Sequence, residues 1–236
     1  MKSTLKNIGL SVFALVLILN FSSCEATKNA SNTQKGGVIG AAGGAILGAI
    51  IGNNVGKKGS GGELGAVIGG VVGGGAGVLI GKKMDKQAQE IEEEIPGAVV
   101  ERIDDGIVIT FDENSGVYFD TNKYNINSAS EILLNKLSGI LLEYSDTNVF
   151  VIGHTDSTGA DEYNMTLSKN RAFSVTNYFV GKGLPSNRFT TSWFGEEQPI
   201  SDNTTAEGRS KNRRVNIAIV PNEKMKDDAK KETGEN

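Results

Sequence analysis

The hydrophobic and polar positions follow three different patterns along the chain. Residues 1–23 carry an apolar run over residues 8–19 behind two lysines, which is the layout of a signal peptide, and the run is too short to span a bilayer comfortably. Residues 36–81 are mostly apolar and place glycine at every fourth position. From residue 98 onward, apolar positions recur at strand and helix spacing, as in a folded domain. The pattern therefore predicts a membrane-directed N-terminal part followed by a C-terminal domain.

The C-terminal segment 98–220 predicts an α+β domain. Strand-like runs over 98–103 and 107–111 flank an Asp-Asp-Gly turn signal and predict a hairpin. The elements predicted after it are a short strand over 117–120, a helix over 128–144, a buried strand over 149–152, a helix over 161–180 and strands over 189–193 and 214–220. This β-α-β-α-β-β order favours a two-layer sandwich in which helices cover a mixed sheet. The charged residues 221–236 are predicted to form a disordered tail.

Two glycine ladders fill residues 36–81. Their members are Gly36, Gly40, Gly44, Gly48, Gly52 and Gly56 in the first, and Gly61, Gly65, Gly69, Gly73, Gly77 and Gly81 in the second. On a helix, a four-residue step returns to nearly the same face, so each ladder forms a groove where a second backbone approaches closely. Each uncharged run is about 20 residues long, which predicts a two-helix hairpin within the bilayer and self-association through the ladders. A flexible glycine-rich linker stays open as the alternative.

The N-terminal part also contains the only cysteine of the chain. Ser22 and Ser23 precede Cys24 directly after the apolar run, and this arrangement resembles the bacterial lipobox, with Phe21 where leucine is usual. The resemblance implies that Cys24 is acylated and becomes the mature N-terminus, which would hold the chain stably on membrane lipid. An ordinary secretory signal with an incidental cysteine is the alternative. Residues 24–35 are then predicted to be a flexible tether, and the charged residues 82–97 a helical linker.

Composition and charge exclude several classes of function. The formal net charge is −4, and removal of residues 1–23 with their two lysines would make it −6, so no basic field favours nucleic acid. One histidine and one cysteine leave little from which to build a paired nucleophile and base or a multi-histidine metal site. Neither uncharged run contains an acid that could carry protons, as an ion-motor stator requires. We therefore expect no enzyme, no cofactor and no metal.

Motifs spread over the C-terminal domain resemble those of the OmpA-like domain family. They are Val117-Tyr118-Phe119-Asp120, Gly153-His154-Thr155-Asp156-Ser157-Thr158-Gly159, Tyr163-Asn164, Leu167-Ser168-Lys169-Asn170-Arg171-Ala172, Gly208 and Asn212-Arg213-Arg214-Val215. The match in order and spacing covers about residues 98–220. The resemblance implies non-covalent binding of the peptide stem of peptidoglycan, centred on diaminopimelate. It also implies an outer-membrane lipoprotein whose C-terminal domain faces the periplasm.

The chemistry of diaminopimelate suggests roles for individual residues. Its free end presents an ammonium and a carboxylate on one carbon, so a receptor needs an anion and a cation a few ångströms apart. By the resemblance, Asp156 takes the ammonium and Arg171 takes the carboxylate. The surrounding pocket is expected to comprise Phe119, Asp120, Thr155, Asn164 and Arg213.

Simpler structural roles remain open for these and neighbouring residues. Asp156 could cap a turn, and Arg171 could pair with Asp161 or Glu162 on its own helix. His154 follows a buried strand and is expected to be a hydrogen-bonded structural residue outside the site. Packing at the core or rim is expected for Trp193 and Phe194, and strand-edge charge is an alternative for Asn212, Arg213 and Arg214.

The leading interpretation is a non-catalytic tether, with lipid and glycine ladders in the outer membrane and a peptidoglycan pocket at the other end. The alternative is a homo-oligomeric, pore-like membrane assembly driven by the ladders, with wall binding as a secondary role.

Overall fold

The computed structural model describes residues 74–103, 105–111, 119 and 122–235. The elements are α1 (Gly74–Glu94), β1 (Val99–Ile103), β2 (Gly106–Phe111), α2 (Ser128–Glu143), β3 (Thr147–Gly153), α3 (Asp161–Gly181), a 3-10 turn (Ser186–Arg188), β4 (Phe189–Trp193), α4 (Ala206–Asn212), β5 (Val215–Pro221) and α5 (Glu223–Thr233). Cys24, the tether, the first ladder and most of the second lie outside the described residues. So do Asp120 and most of the strand predicted over 117–120; Phe119 is described and lies outside any strand.

The five described strands form one mixed sheet in the order β1-β2-β5-β3-β4. Every neighbouring pair is antiparallel except β3 and β4, which are parallel. Alternation along β3 sends Val149 and Val151 into the main core beneath the helices, while Phe150 and Ile152 belong to a smaller cluster on the opposite face. The predicted two-layer α+β arrangement with a mixed sheet is confirmed.

The two helices predicted from apolar spacing form where expected and lie close to the sheet. Asn127 caps the start of helix α2, because its side chain accepts a 2.8 Å hydrogen bond from the backbone N–H of Ser130. Helix α3 lies so near the end of β3 that a Cβ on Gly153 would stand 2.1 Å from the carbonyl oxygen of Ser168. Glycine at this position therefore lets the middle of α3 pack directly on the strand that leads into the predicted pocket.

Helix α1 is part of the folded domain and begins before the predicted linker. It starts at Gly74, so the last two ladder glycines, Gly77 and Gly81, lie within it. Ile80, Met84 and Ile91 are completely buried in the main core. The charged side chains that suggested a solvated spacer occupy the other face of the helix.

The C-terminal residues form a helix, so the expectation of a disordered tail is wrong for residues 223–233. The Asn222 side chain caps α5 by accepting a 3.0 Å hydrogen bond from the N–H of Met225. Met225 and Ala229 are spaced four residues apart and are buried in the main core. The Glu235 carboxylate accepts a 2.7 Å hydrogen bond from the N–H of Gly75 at the start of α1. Packing against α1 stabilises a helix whose own sequence has only these two apolar contacts.

Within the described ranges, no helix has the length and apolar character needed to cross a membrane.

Candidate functional site

The predicted site residues surround the end of strand β3. In the sheet register, Gly153 lies opposite Val215 at the start of β5 and beside Trp193 at the end of β4. Three connections therefore meet at this edge of the sheet: residues 154–160 after β3, residues 194–205 after β4, and the end of α4 before β5. Side chains that are far apart in sequence are brought together here by the strand order.

Asp156 is an ionised and largely buried carboxylate. One oxygen, Oδ2, accepts a 2.8 Å hydrogen bond from Nη1 of Arg213, and Oδ1 accepts a 2.9 Å bond from the N–H of Thr158. Burial raises the pKa of Asp156, but the bonds from Arg213 and Thr158 outweigh it and hold the pKa below its usual 3.8. The turn-capping alternative is thus also realised, because the bond to Thr158 closes a turn while the other oxygen forms an ion pair.

Arg171 lies beneath this turn and is only 1% exposed. Its Nη1 donates to the carbonyl of His154 at 3.4 Å, and its Nε donates to the carbonyl of Lys123 at 3.1 Å. The guanidinium also lies 5.3 Å from the ring centroid of Phe119. Burial is the larger cause, and the nearby charge of Arg213 the smaller one, of a pKa of Arg171 that is lowered to about 10. The negative charge of Asp156 acts in the opposite direction. Arg171 therefore stays a cation at neutral pH.

The loop after β4 contacts the site through two residues that sequence reasoning had not selected. Gly195 accepts a 2.8 Å hydrogen bond at its carbonyl from the N–H of Thr155. The Glu196 carboxylate accepts a 2.5 Å bond from Nδ2 of Asn164, which is buried on α3. Glu196 stands in an irregular loop 32 residues from Asn164, and no spacing pattern in the sequence links the two.

Asn212 holds the remaining connection in place. Its Oδ1 accepts bonds from the N–H groups of Ile200 and Ser201 at 2.8 and 3.1 Å, and its Nδ2 donates to Oδ1 of Asn203 at 2.8 Å. This fully buried amide holds residues 200–203 against the end of α4, directly before Arg213, which is the residue that pairs with Asp156. Strand-edge charge therefore does not describe Asn212.

Arg214 and His154 are both buried and lie close enough for their charges to interact. Arg214 is 1% exposed and donates to Oδ1 of Asn216 at 2.9 Å, so the strand-edge alternative is wrong for it as well. Neither ring nitrogen of His154 has a hydrogen-bond partner in the part of the chain that the structure describes, so the expected hydrogen-bonded role is corrected. The ring instead stacks on Phe194 at 5.9 Å between centroids. Burial and the charge of Arg214 hold the pKa of His154 well below 6.5, so the ring is neutral.

Six of the seven predicted pocket residues are described, and they form linked contacts. Asp156 pairs with Arg213, and Arg171 stacks on Phe119 and bonds to the carbonyl that precedes Thr155. The Asn164 amide lies near Gly159, whose Cβ would stand 3.9 Å from it. Asp120 lies outside the described residues. The arrangement offers charges of both signs at one edge of the sheet, which suits recognition of a small charged ligand.

Two family models match different parts of this chain. Residues 118–213 match the OmpA family, and residues 1–85 match the YMGG-like Gly-zipper. The "Probable lipoprotein YiaD" of Escherichia coli is 35% identical over 144 residues, which cover 60% of this chain and 65% of that protein. The peptidoglycan-binding protein ArfA of Mycobacterium tuberculosis is 39% identical over 87 residues, covering 37% of this chain and 27% of that protein.

A solved structure is similar to the C-terminal domain. The cell wall anchor of the T6SS from Pseudomonas aeruginosa superposes with a TM-score of 0.50 at 25% identity, covering 58% of this chain and 96% of that chain. This chain spans less than two thirds of the length of either curated relative. The C-terminal part of the chain is therefore similar to the OmpA family, and the part before it is similar to the YMGG-like Gly-zipper.

Proposed function

We propose that this chain binds peptidoglycan non-covalently at the edge of the sheet that carries Asp156 and Arg171, and that it thereby ties the outer membrane to the cell wall. The observation that carries the proposal is that side chains of opposite charge meet at one short segment after β3. The Asp156 carboxylate and the carbonyl that accepts from Arg171 belong to residues only two positions apart.

The charges around the pocket suit the free end of diaminopimelate. Arg213 lies close enough to Arg171 to lower its pKa, so the site holds two neighbouring cations that a ligand carboxylate would stabilise. Asp156 is ionised and supplies an acceptor for the ligand ammonium. A lysine-containing stem peptide has the ammonium without the adjacent carboxylate, so it would use only half of the site.

The relatives support the wall as the binding partner. ArfA is named for peptidoglycan binding, and the similar Pseudomonas structure is named a cell wall anchor. The name of YiaD supports a lipoprotein, in agreement with acylation of Cys24 and an outer-membrane location with the OmpA-like domain in the periplasm.

The positions of the two ends of the domain also support a tether. Helix α1 ends beside Val99, which pairs with Thr110 near the site edge of the sheet, and it begins about 30 Å away at Gly74. There it meets α5, which follows the opposite end of β5. The membrane-directed segment would therefore enter the domain on the side away from the pocket.

The YMGG-like Gly-zipper match supports a second candidate function. This is a homo-oligomeric or pore-like membrane assembly in which wall binding is secondary. Cross-linking of the full chain in membranes would report that assembly independently of the pocket. Oligomers that persist when the pocket is disabled are the expected result if the ladders act alone.

The tether proposal is tested by titrating the full chain in detergent micelles with soluble stem peptides that contain diaminopimelate or lysine. We expect the wild type to prefer the diaminopimelate peptide. Asp156→Asn and Arg171→Lys should each weaken its binding by about tenfold or more, because each removes a charge or a fork-shaped donor from a desolvated site. Arg171→Lys should also reduce the preference over the lysine peptide.

Arg188→Lys provides a matched control. Arg188 is also buried and donates to backbone carbonyls, at Thr147 and Leu141, but it lies at the other end of β3. The Arg188→Lys variant should lower the stability of the domain and leave its affinity for the diaminopimelate peptide unchanged. Equal binding by wild type and both pocket variants, or no binding by the wild type, would contradict the proposal.

A further inference from the structure

Glu196 makes a short contact with a pocket residue that has no other side-chain partner in the described structure. Its Oε2 lies 2.5 Å from Nδ2 of Asn164. Asn164 is 1% exposed, and its Oδ1 accepts no hydrogen bond from any described residue. The contact therefore orients a buried amide that is satisfied on one side only.

The backbone around Glu196 is held rigidly. Gly195 has a φ of +54°, and a Cβ there would stand 3.1 Å from the backbone nitrogen of Met165. Its N–H donates to Oγ of Ser168 at 2.9 Å, and its carbonyl accepts from the N–H of Thr155 at 2.8 Å. The loop is thus fixed both to α3 and to the segment that carries Asp156, so the Glu196 carboxylate has a defined position.

A carboxylate can only accept hydrogen bonds, whereas an amide has one donating and one accepting end. Glu196 therefore requires Nδ2 of Asn164 to face it, and Oδ1 must face the other way. The amide lies next to the turn that follows Asp156, because a Cβ on Gly159 would stand 3.9 Å from both Nδ2 and Oδ1 of Asn164. With Nδ2 held by Glu196, Oδ1 is the end of this amide that is left to accept a hydrogen bond beside that turn.

We infer that Glu196 is a positioning residue for ligand recognition: it fixes the amide of Asn164 so that Oδ1 accepts a hydrogen bond from the ammonium of the bound ligand. This inference rests on the proposed function of the pocket. It extends that function by a residue outside the predicted site and by an acceptor that complements Asp156. Glu196 also adds a second negative charge on the ammonium side of the site.

The test compares two single variants with the double variant, which exchanges the two side chains and keeps their total charge. In Glu196→Gln, the amide of Asn164 is free to turn, and binding of the diaminopimelate peptide should weaken roughly three- to tenfold, as expected for loss of one oriented hydrogen bond. Asn164→Asp alone places two carboxylates in contact and should bind more weakly still. In the double variant Asn164→Asp with Glu196→Gln, the glutamine donates and the aspartate keeps an oxygen toward the pocket, so affinity should return to near the wild-type value.

A second readout uses a peptide whose ammonium is acetylated. Wild type should discriminate against it, and Glu196→Gln should lose part of that discrimination, which a general loss of stability would not cause. Glu197→Gln, at the exposed neighbouring residue, is the matched control and should behave as wild type.

The outcomes separate the two levels of the proposal. Wild-type binding together with unchanged affinity in Glu196→Gln, or with no recovery in the double variant, would overturn the positioning role alone. Absence of wild-type binding would overturn the proposed function and the role of Glu196 with it.

Discussion

At the scale of single residues, the pocket edge combines two carboxylates with two guanidinium groups. Asp156 pairs with Arg213, Arg171 is buried against the same segment, and Glu196 approaches through Asn164. These four charges sum to zero, and one pair of them, Asp156 and Arg213, is in direct contact. Such an arrangement favours a zwitterion over a simple anion or cation, because each charge of the ligand finds an opposite charge without leaving the site unbalanced.

The single histidine gives a prediction about stability and pH. His154 is neutral in the folded state because burial and Arg214 hold its pKa well below 6.5, whereas in the unfolded chain it takes up a proton near pH 6.5. The unfolded state therefore binds more protons below that pH, and stability should fall by about 1 kcal/mol between pH 7.5 and 5.5. Urea unfolding at the two pH values measures this loss.

His154→Phe, which retains an aromatic ring against Phe194, should remove most of that loss. An unchanged dependence in the variant would assign it to groups other than the histidine.

Residue roles differed in how far the sequence could predict them. The motif spacing selected Asp156, Arg171 and Arg213, and the structure brings these three side chains to one edge of the sheet. Glu196 carries no such signal, because its role depends on a loop geometry set by a neighbouring glycine. A charged position at the edge of a strand was one of the roles considered for Arg214. The alternation of polar and apolar residues near the end of a strand does not reveal which of its faces becomes buried.

At the scale of secondary-structure elements, strong periodicity predicted α2, α3 and the core strands, while the two helices nearest the ends of the domain were misjudged. Helix α1 looked like a solvated linker because charges dominate its composition, although Ile80, Met84 and Ile91 lie on one buried face. Helix α5 looked disordered because only Met225 and Ala229 mark its apolar side. Each helix covers apolar side chains of the other. This mutual dependence cannot be detected when the two segments are analysed separately.

This dependence predicts the effect of shortening the chain. Ending it after Asn222 removes α5 and exposes the faces of α1 that Met225 and Ala229 cover, so the free energy of unfolding should fall by about 2 to 4 kcal/mol. Urea denaturation compared with the full chain measures the change. Met225→Ala should reproduce much of it, while Lys230→Ala, at an exposed position of the same helix, should change stability little. A truncated chain as stable as the full one would agree with the disordered tail predicted from composition.

At the scale of the whole molecule, the family match over residues 118–213 is smaller than the folded unit. The unit also includes α1, the hairpin of β1 and β2, and α5, all of which contribute to the main core. A fragment of residues 98–236, which starts at the hairpin, should therefore have a lower denaturation midpoint than one of residues 74–236, because it loses the buried side chains of α1. Equal midpoints for the two fragments would show that α1 packs without stabilising the domain.

The course of α1 has a mechanical consequence. A force applied between Gly74 and a ligand at the Asp156 edge would have a component along α1, because the helix begins on the side away from the pocket, and a helix loaded lengthwise has to slide over its neighbours before it can detach. In that loading direction, the contacts of Ile80, Met84 and Ile91 and the hydrogen bond between Gly75 and Glu235 bear load together instead of opening one after another. Resistance to rupture then depends on the height of the unfolding barrier under tension, and a domain of modest equilibrium stability can remain attached while the envelope is under strain.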